Sequence, residues 1–319
     1  MIDFKNDLRI YAIRTLKHYG VKYKDKDDLI TLLVKMHTFW EKYITPQPRT
    51  VMESKELTKS LANFPNSVQI AVEKMKEWIS AGIDINAFQS RGLRGSGSRD
   101  YQNAVYGTVH LHLSAQQEDV LPVVKKNGFA KPGKYILNTY FTSTHAYFIN
   151  IIEHPGGDKS DAPIWLSGTI LEIIVNNWPE LADEYKIANA SICDGRGNKL
   201  DLSDRERAEL TINHINTFIE YRGNLYVPFL GITGSGDNVA AVLKSQRLMN
   251  SATLAQLRYK ERRPDFERAF RGLLERHGRK IPAEFDIHFE YVDSLRRFVV
   301  LDRSSGAVWD CAEGGVLLC

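Results

Sequence analysis

The chain has 319 residues, with 42 Lys plus Arg against 39 Asp plus Glu for a net charge of +3, 43% hydrophobic residues, 10% aromatic residues and 3 cysteines. That composition excludes a disordered or collagen-like chain, and the length suits two domains or one large one. No apolar stretch approaches the roughly 20 residues that span a bilayer and the opening MIDFK is no signal peptide, so a cytoplasmic protein without membrane association is expected.

Residues 1–89 read as a helical region. Val68, Val72, Met75 and Ile79 recur on one helical face, with Asn66 or Ser67 as cap and Gly82 as stop. An earlier helix is expected over 26–43, ended by the prolines of TPQP. A second region, 90–190, opens on SRGLRGSGSRD, where Arg91, Arg94 and Arg99 stand among glycines and serines. Such a loop suits either a surface linker or close contact with an anion.

The stretch VHLHL at 109–113 alternates strictly, so a strand sends Val109, Leu111 and Leu113 to a core and His110 and His112 to the other face. Their imidazoles then start roughly 6 to 7 Å apart. Strands over 135–141 and 145–152, joined by Thr142-Ser-Thr144, extend this into an antiparallel meander that brings His110, His112, His145 and Tyr147 into one sheet. A helix over 165–178 is expected to cover that sheet.

The third region, 191–319, is expected to be an α/β unit. Ser203 and Glu206 form a capping box, Arg222-Gly223 a hairpin turn, and GITGSGDN a glycine-rich turn before a helix, where backbone amides suit an anion. Residues 244–280 hold 11 basic groups against 4 acidic ones, whereas 281–319 hold 3 against 7. A concentrated basic block is how a nucleic-acid footprint appears in sequence, and Arg247, Arg258, Arg262, Arg268 and Arg271 are its candidate phosphate contacts. Phe266, Phe270, Leu273, Leu274 and His277 form the opposite, core-facing stripe, and 285–302 reads as a β-hairpin.

Two histidines on one strand face beside an arginine loop meet the requirements of metal-free RNA cleavage. One imidazole takes the 2′-hydroxyl proton, an acid protonates the leaving 5′-oxygen, and a guanidinium stabilises the phosphorane. His110 and His112 are the first candidates, His145 can substitute for either, Arg91, Arg94 or Arg99 supplies the charge, and Asp100 or Tyr101 can orient an imidazole. The same two histidines can instead hold a divalent metal, completed by Asp100, His145 or His154, for a metal-dependent hydrolase. The three cysteines, Cys193, Cys311 and Cys319, lie far apart and suit neither a disulfide framework nor a zinc site.

The run from Asp100 to Leu113, with YFINIIEH at 147–154 and EIIVNNWP at 172–179, resembles uncharacterised bacterial and phage-associated proteins of toxin or phage-defence type, over roughly residues 90–240. The resemblance carries no residue roles and implies a nuclease of that kind. The expectation is therefore an α+β protein acting as an RNA-directed nuclease of toxin or antiviral-defence type, without cofactor or metal. RNA rather than DNA is its nucleic acid, and an inhibitory protein is its partner. A non-catalytic nucleic-acid-binding or interaction protein is the alternative from a different class.

Overall fold

A computed structural model describes residues 2–95, 100–113, 128–130, 133–155, 161–193, 196–292 and 297–310, and the backbone of 316–318. The fold is α+β. In chain order its elements begin with α1 (Phe4–His18), α2 (Leu29–Lys42), β1 (Thr50–Glu53), α3 (Lys55–Ser60), α4 (Asn66–Ala81), α5 (Tyr101–Tyr106), β2 (Val109–Leu113), β3 (Tyr135–Phe141) and β4 (His145–Glu153). They continue with α6 (Ala162–Trp165), α7 (Thr169–Asn177), β5 (Lys186–Ile187), α8 (Asp204–Ile212), β6 (Ile219–Tyr221) and β7 (Asn224–Tyr226). Last come α9 (Val239–Glu261), α10 (Arg263–Arg276), β8 (Ile287–Val292), β9 (Arg297–Asp302), β10 (Ala307–Trp309) and β11 (Val316–Leu318).

The chain divides into two units, one of residues 1–37 with 241–319 and the other of residues 38–240. The expected boundaries at 89/90 and 190/191 both fall inside the second. Tertiary packing is the reason, since the first helix, with Leu29 of α2, shares its core with the C-terminal segment.

In the unit 38–240, β2, β3 and β4 form the expected antiparallel meander, and β1 adds a fourth strand parallel to β4, giving the order β1-β4-β3-β2. Alternation sends Leu111, Leu113, Leu137, Phe148 and Ile151 onto Leu57, Val68, Val72, Met75 and Ile79 of α3 and α4. Tyr147 and Ile149 pack on the opposite side with Val105, Tyr106, Ile170, Ile174 and Trp178. The sheet is thus covered on both faces. A register shift between Asn138 and Thr139 locally disturbs the β3–β4 ladder.

Several local expectations change. The cap of α4 is Pro65, which makes no side-chain cap bond, so neither Asn66 nor Ser67 serves. The helix expected over 165–178 is interrupted: α6 ends at Trp165 and α7 begins at Thr169. The buried Tyr106 hydroxyl lies 2.8 Å and 2.9 Å from the carbonyls of Leu166 and Ser167, between the two helices. Its proton satisfies backbone groups that a continuous helix would have bonded internally. The Ser203–Glu206 capping box is present on α8, and Arg222 and Gly223 both take positive φ between β6 and β7, as a tight hairpin requires.

Gly107 ends α5 at φ +65°, and a Cβ there would stand 2.9 Å from the Tyr140 ring. Gly107→Ala is therefore expected to cost about 1 to 3 kcal/mol, from left-handed backbone strain plus overpacking. Chemical denaturation checks this, and an unchanged midpoint would refute it.

In the other unit, β8, β9, β10 and β11 form an antiparallel sheet, extending the expected hairpin by two strands. Phe4 and Leu8 of α1 share a core with Ala252, Ala255 and Tyr259 of α9, Phe266, Phe270 and Leu273 of α10, and Phe289, Val300 and Trp309 of the sheet. The stripe on α10 is buried as its spacing implies, except that His277 caps the helix and is exposed. Among the described residues, no helix is long and apolar enough to cross a membrane.

Candidate functional site

The site is built by strand register in the unit 38–240. His110 pairs with Asn138, and Asn138 with Asn150, so these three occupy one line across β2, β3 and β4. His112 pairs with Ile136, which pairs with Ile152, two residues before His154. The backbone N–H of His154 donates to Lys134 at 2.7 Å, which carries the pairing one residue past β4. Side chains with the same parity share a face, and His110, His112 and His154 therefore rise from the same side of the sheet.

The rings meet. His110 and His112 have centroids 5.5 Å apart, His112 and His154 stack at 4.8 Å with planes 12° apart, and His110 and His154 lie at 6.4 Å. Trp165, at the end of α6, packs 4.9 Å from His110 and edge-on to His154 at 5.7 Å. His112 is 3% exposed, whereas His110, His154 and Trp165 are half-buried and line the outer side of the cluster. The helix interruption after α6 is what places Trp165 at a helix end rather than inside a rigid rod.

Burial holds the His110 pKa below the ordinary imidazole value, with Asp100 opposing and His154 and Lys42 reinforcing the shift. Burial likewise pushes His112 down to about 3, helped by His110 and His154. Both rings are accordingly neutral at pH 7. His154 Nδ1 donates to the Pro155 carbonyl. The Nδ1 atom of His112 is buried without a hydrogen-bond partner among the described residues, and so is Oε1 of Gln102.

A polar network runs along the line of His110, Asn138 and Asn150. Gln102 Nε2 donates to Asn138 Oδ1 at 2.8 Å, and Asn138 Nδ2 donates to Asn150 Oδ1 at 2.8 Å. Removing the middle member strands a buried donor and a half-buried acceptor, so Asn138→Ala is expected to destabilise by about 1 to 3 kcal/mol. Urea denaturation measures it, and a loss under about 0.5 kcal/mol would mean that the network carries no such strain.

Of the remaining candidates, His145 sits at the opposite end of β4 from His154, roughly 30 Å away along the strand. Its Nδ1 is 2.8 Å from the Thr144 hydroxyl and its ring stacks on Tyr147, so it does not join the cluster. Arg94 places its guanidinium over the Phe129 ring at 4.9 Å, and a Cβ on Gly128 would stand 3.1 Å from its Nη1. Arg91 is exposed, and Arg99 lies outside the described residues. Among the described residues, the cation whose field reaches His110 is Lys42, a buried amine that donates to the Gly92 carbonyl at 3.1 Å and whose own pKa burial lowers. Asp100 accepts from the Asn103 N–H at 3.0 Å as the cap of α5, and the Tyr101 hydroxyl donates to Ile212; neither hydrogen-bonds an imidazole among the described residues.

The basic segment belongs to the other unit. Arg247 and Arg258 on α9, and Arg262, Arg268 and Arg271 on and beside α10, are all exposed. Arg262 and Arg268 pair with Asp265, and Arg271 lies over the Phe285 ring at 5.3 Å. Cys193 is exposed, while Cys311 and Cys319 lie outside the described residues.

Sequence reasoning named His154 only as a metal ligand, placed Trp165 only at the start of a sheet-covering helix, and passed over Gln102, Asn138 and Asn150. Asn138 and Asn150 carried a usable signal, since each interrupts an otherwise apolar strand. Among the described residues, no three His, Cys, Asp or Glu side chains are arranged to hold a metal ion. The class defined is an α+β protein with a three-histidine face flanked by an aromatic residue. No protein-family model, curated protein or solved structure matches the chain.

Proposed function

We propose that the three-histidine face is the reactive centre of a metal-independent, RNA-directed nuclease of toxin or antiviral-defence type, acting in the cytoplasm. The observation that carries this reading is the meeting of three imidazoles, at least two of them held neutral, on a sheet face that also bears amide groups. Neutral imidazole is the form a general base needs. His110, half-buried at the outer side, takes the 2′-hydroxyl proton as the 2′-oxygen attacks phosphorus. The P–O5′ bond breaks, and the proton returns to the leaving 5′-oxygen from the imidazolium, directly or through His112 and His154. Burial disfavours that imidazolium, which makes it a stronger acid than free histidine. The products are a 2′,3′-cyclic phosphate and a 5′-hydroxyl.

Trp165 supplies an aromatic surface beside the reacting groups on which a base can stack. Lys42 takes the electrostatic role first given to Arg91 and Arg94, because among the described residues its charge bears on His110. The stacking of His112 on His154, rather than convergence of three nitrogens on one point, favours this reading over a metal-dependent hydrolase.

Incubation of the purified chain with end-labelled RNA, its 2′-deoxy analogue and EDTA tests the proposal. Cleavage of RNA alone, resistant to EDTA and ending in cyclic phosphate, is the expected result. Cleavage of the deoxy substrate, or full loss with EDTA, overturns it, and RNA binding without cleavage would leave a nucleic-acid-binding protein.

A further inference from the structure

Helix α9 buries Ala241, Ser245, Ala252, Ala255 and Tyr259. Directly opposite, Leu243, Arg247, Asn250, Leu254, Leu257 and Glu261 follow one another at intervals of four, three, four, three and four residues. That is the spacing of a coiled-coil seam, in which alternate intervals keep the same stripe toward a partner helix. The stripe faces solvent: Leu243 is 45%, Leu254 55% and Leu257 51% exposed. Single exposed leucines need no explanation, but three in heptad register on the outer face of one helix do.

We propose that the outer face of α9 docks an amphipathic helix of a partner protein, with leucine-type residues along its seam and acidic residues flanking it. Charge selects this occupant. The segment 244–280 carries 11 basic groups against 4 acidic ones. Three of those four acids are engaged or sit at the seam: Asp265 and Glu267 are paired to Arg262, Arg263 and Arg268, and Glu261 ends the stripe. Arg247, in the seam, and Arg258, on its flank, are exposed and form no ion pair among the described residues. A second copy of the chain would bring two such basic faces together, with like charges opposed. A nucleic-acid backbone would neutralise the arginines and leave the leucines in water. An acidic helix satisfies both sets, and Arg247 and Asn250 within the seam fix its register. This inference does not depend on the reaction assigned to the histidine face.

The test uses the full chain and two synthetic three-heptad peptides, both with leucine at the seam positions, one flanked by glutamate and one by lysine. Binding is followed by fluorescence anisotropy. The glutamate peptide is expected to bind and the lysine peptide not. Leu254→Gln with Leu257→Gln should weaken binding by at least about tenfold, and Arg247→Glu with Arg258→Glu should abolish it. All four positions are exposed, so the variants keep the fold, which circular dichroism verifies. Three outcomes overturn the proposal: equal binding of both peptides; self-association of the wild type in ultracentrifugation that the leucine pair removes; or RNA or anionic-vesicle binding lost in the arginine pair while the glutamate peptide does not bind.

Discussion

His110→Ala is expected to slow RNA cleavage by about 10²- to 10⁴-fold, the range lost when a positioned proton acceptor is removed. His154→Ala should fall in the same range, and His112→Asn should lower the rate and move the pH profile, because that ring meets His110 edge-on at 5.5 Å and stacks on His154. His145→Ala should leave the rate unchanged, since that ring is engaged with Thr144 and Tyr147 at the far end of β4. The wild-type profile supplies a second check. A base must be deprotonated to act, and the His110 pKa lies below the usual value of 6.5, so the acid limb is expected to have its midpoint below pH 6.5. An acid limb at or above 6.5, or a His145→Ala variant as impaired as His110→Ala, would remove His110 from the role assigned to it.

Acidification is expected to destabilise both units well before the carboxylates titrate. In the unit 38–240 burial pushes His112 to about 3, and in the other unit burial, with Lys244, pushes His37 to about 4. Unfolding releases each ring to the ordinary value of 6.5, so between the two values the unfolded chain binds more protons. Stability is then complete above pH 6.5 and lost as pH falls toward 3 or 4. At one pKa unit per 1.36 kcal/mol, each ring accounts for on the order of 3 to 5 kcal/mol across that window.

His288 works the other way. Burial opposes its charge, but the carboxylates of Asp7 and Asp286 outweigh burial and raise its pKa. Its contribution is therefore present below 6.5 and lost as pH rises through the folded value. The urea midpoint measured at pH 7 and pH 5 should fall with acid, and His112→Leu and His37→Leu should each flatten that fall. A fall with acid that neither substitution flattens would show that neither ring stays neutral on folding.

Much of the fold was legible because it rests on local periodicity. The alternation of VHLHL put Leu111 and His112 on opposite faces, and the four-residue spacing of Val68, Val72 and Met75 put them on one. The Ser203–Glu206 box and the Arg222-Gly223 turn were readable for a similar reason, since caps and tight turns are decided by a few adjacent residues. The interruption between Trp165 and Thr169 was not readable. It is stabilised by the Tyr106 hydroxyl, sixty residues away in sequence. The α4 cap was misassigned because Asn66 lies one residue inside the helix that Pro65 begins.

By itself, the sequence determined that His110 and His112 share a strand face, that β3 and β4 turn back on one another, and that a basic block occupies 244–280. All three depend on neighbours along the chain. Tertiary structure alone decided that His154 rather than His145 completes the cluster, because register across three strands fixes which residues face one another and no single strand contains that information. It also decided that Trp165 packs on the rings and that the charge of Lys42 bears on His110, that the first 37 residues fold with the last 79, and that the leucines of α9 face outward. Burial is a property of the packed molecule, and it lowers the imidazole pKa values at the same face where strand register brings the rings together.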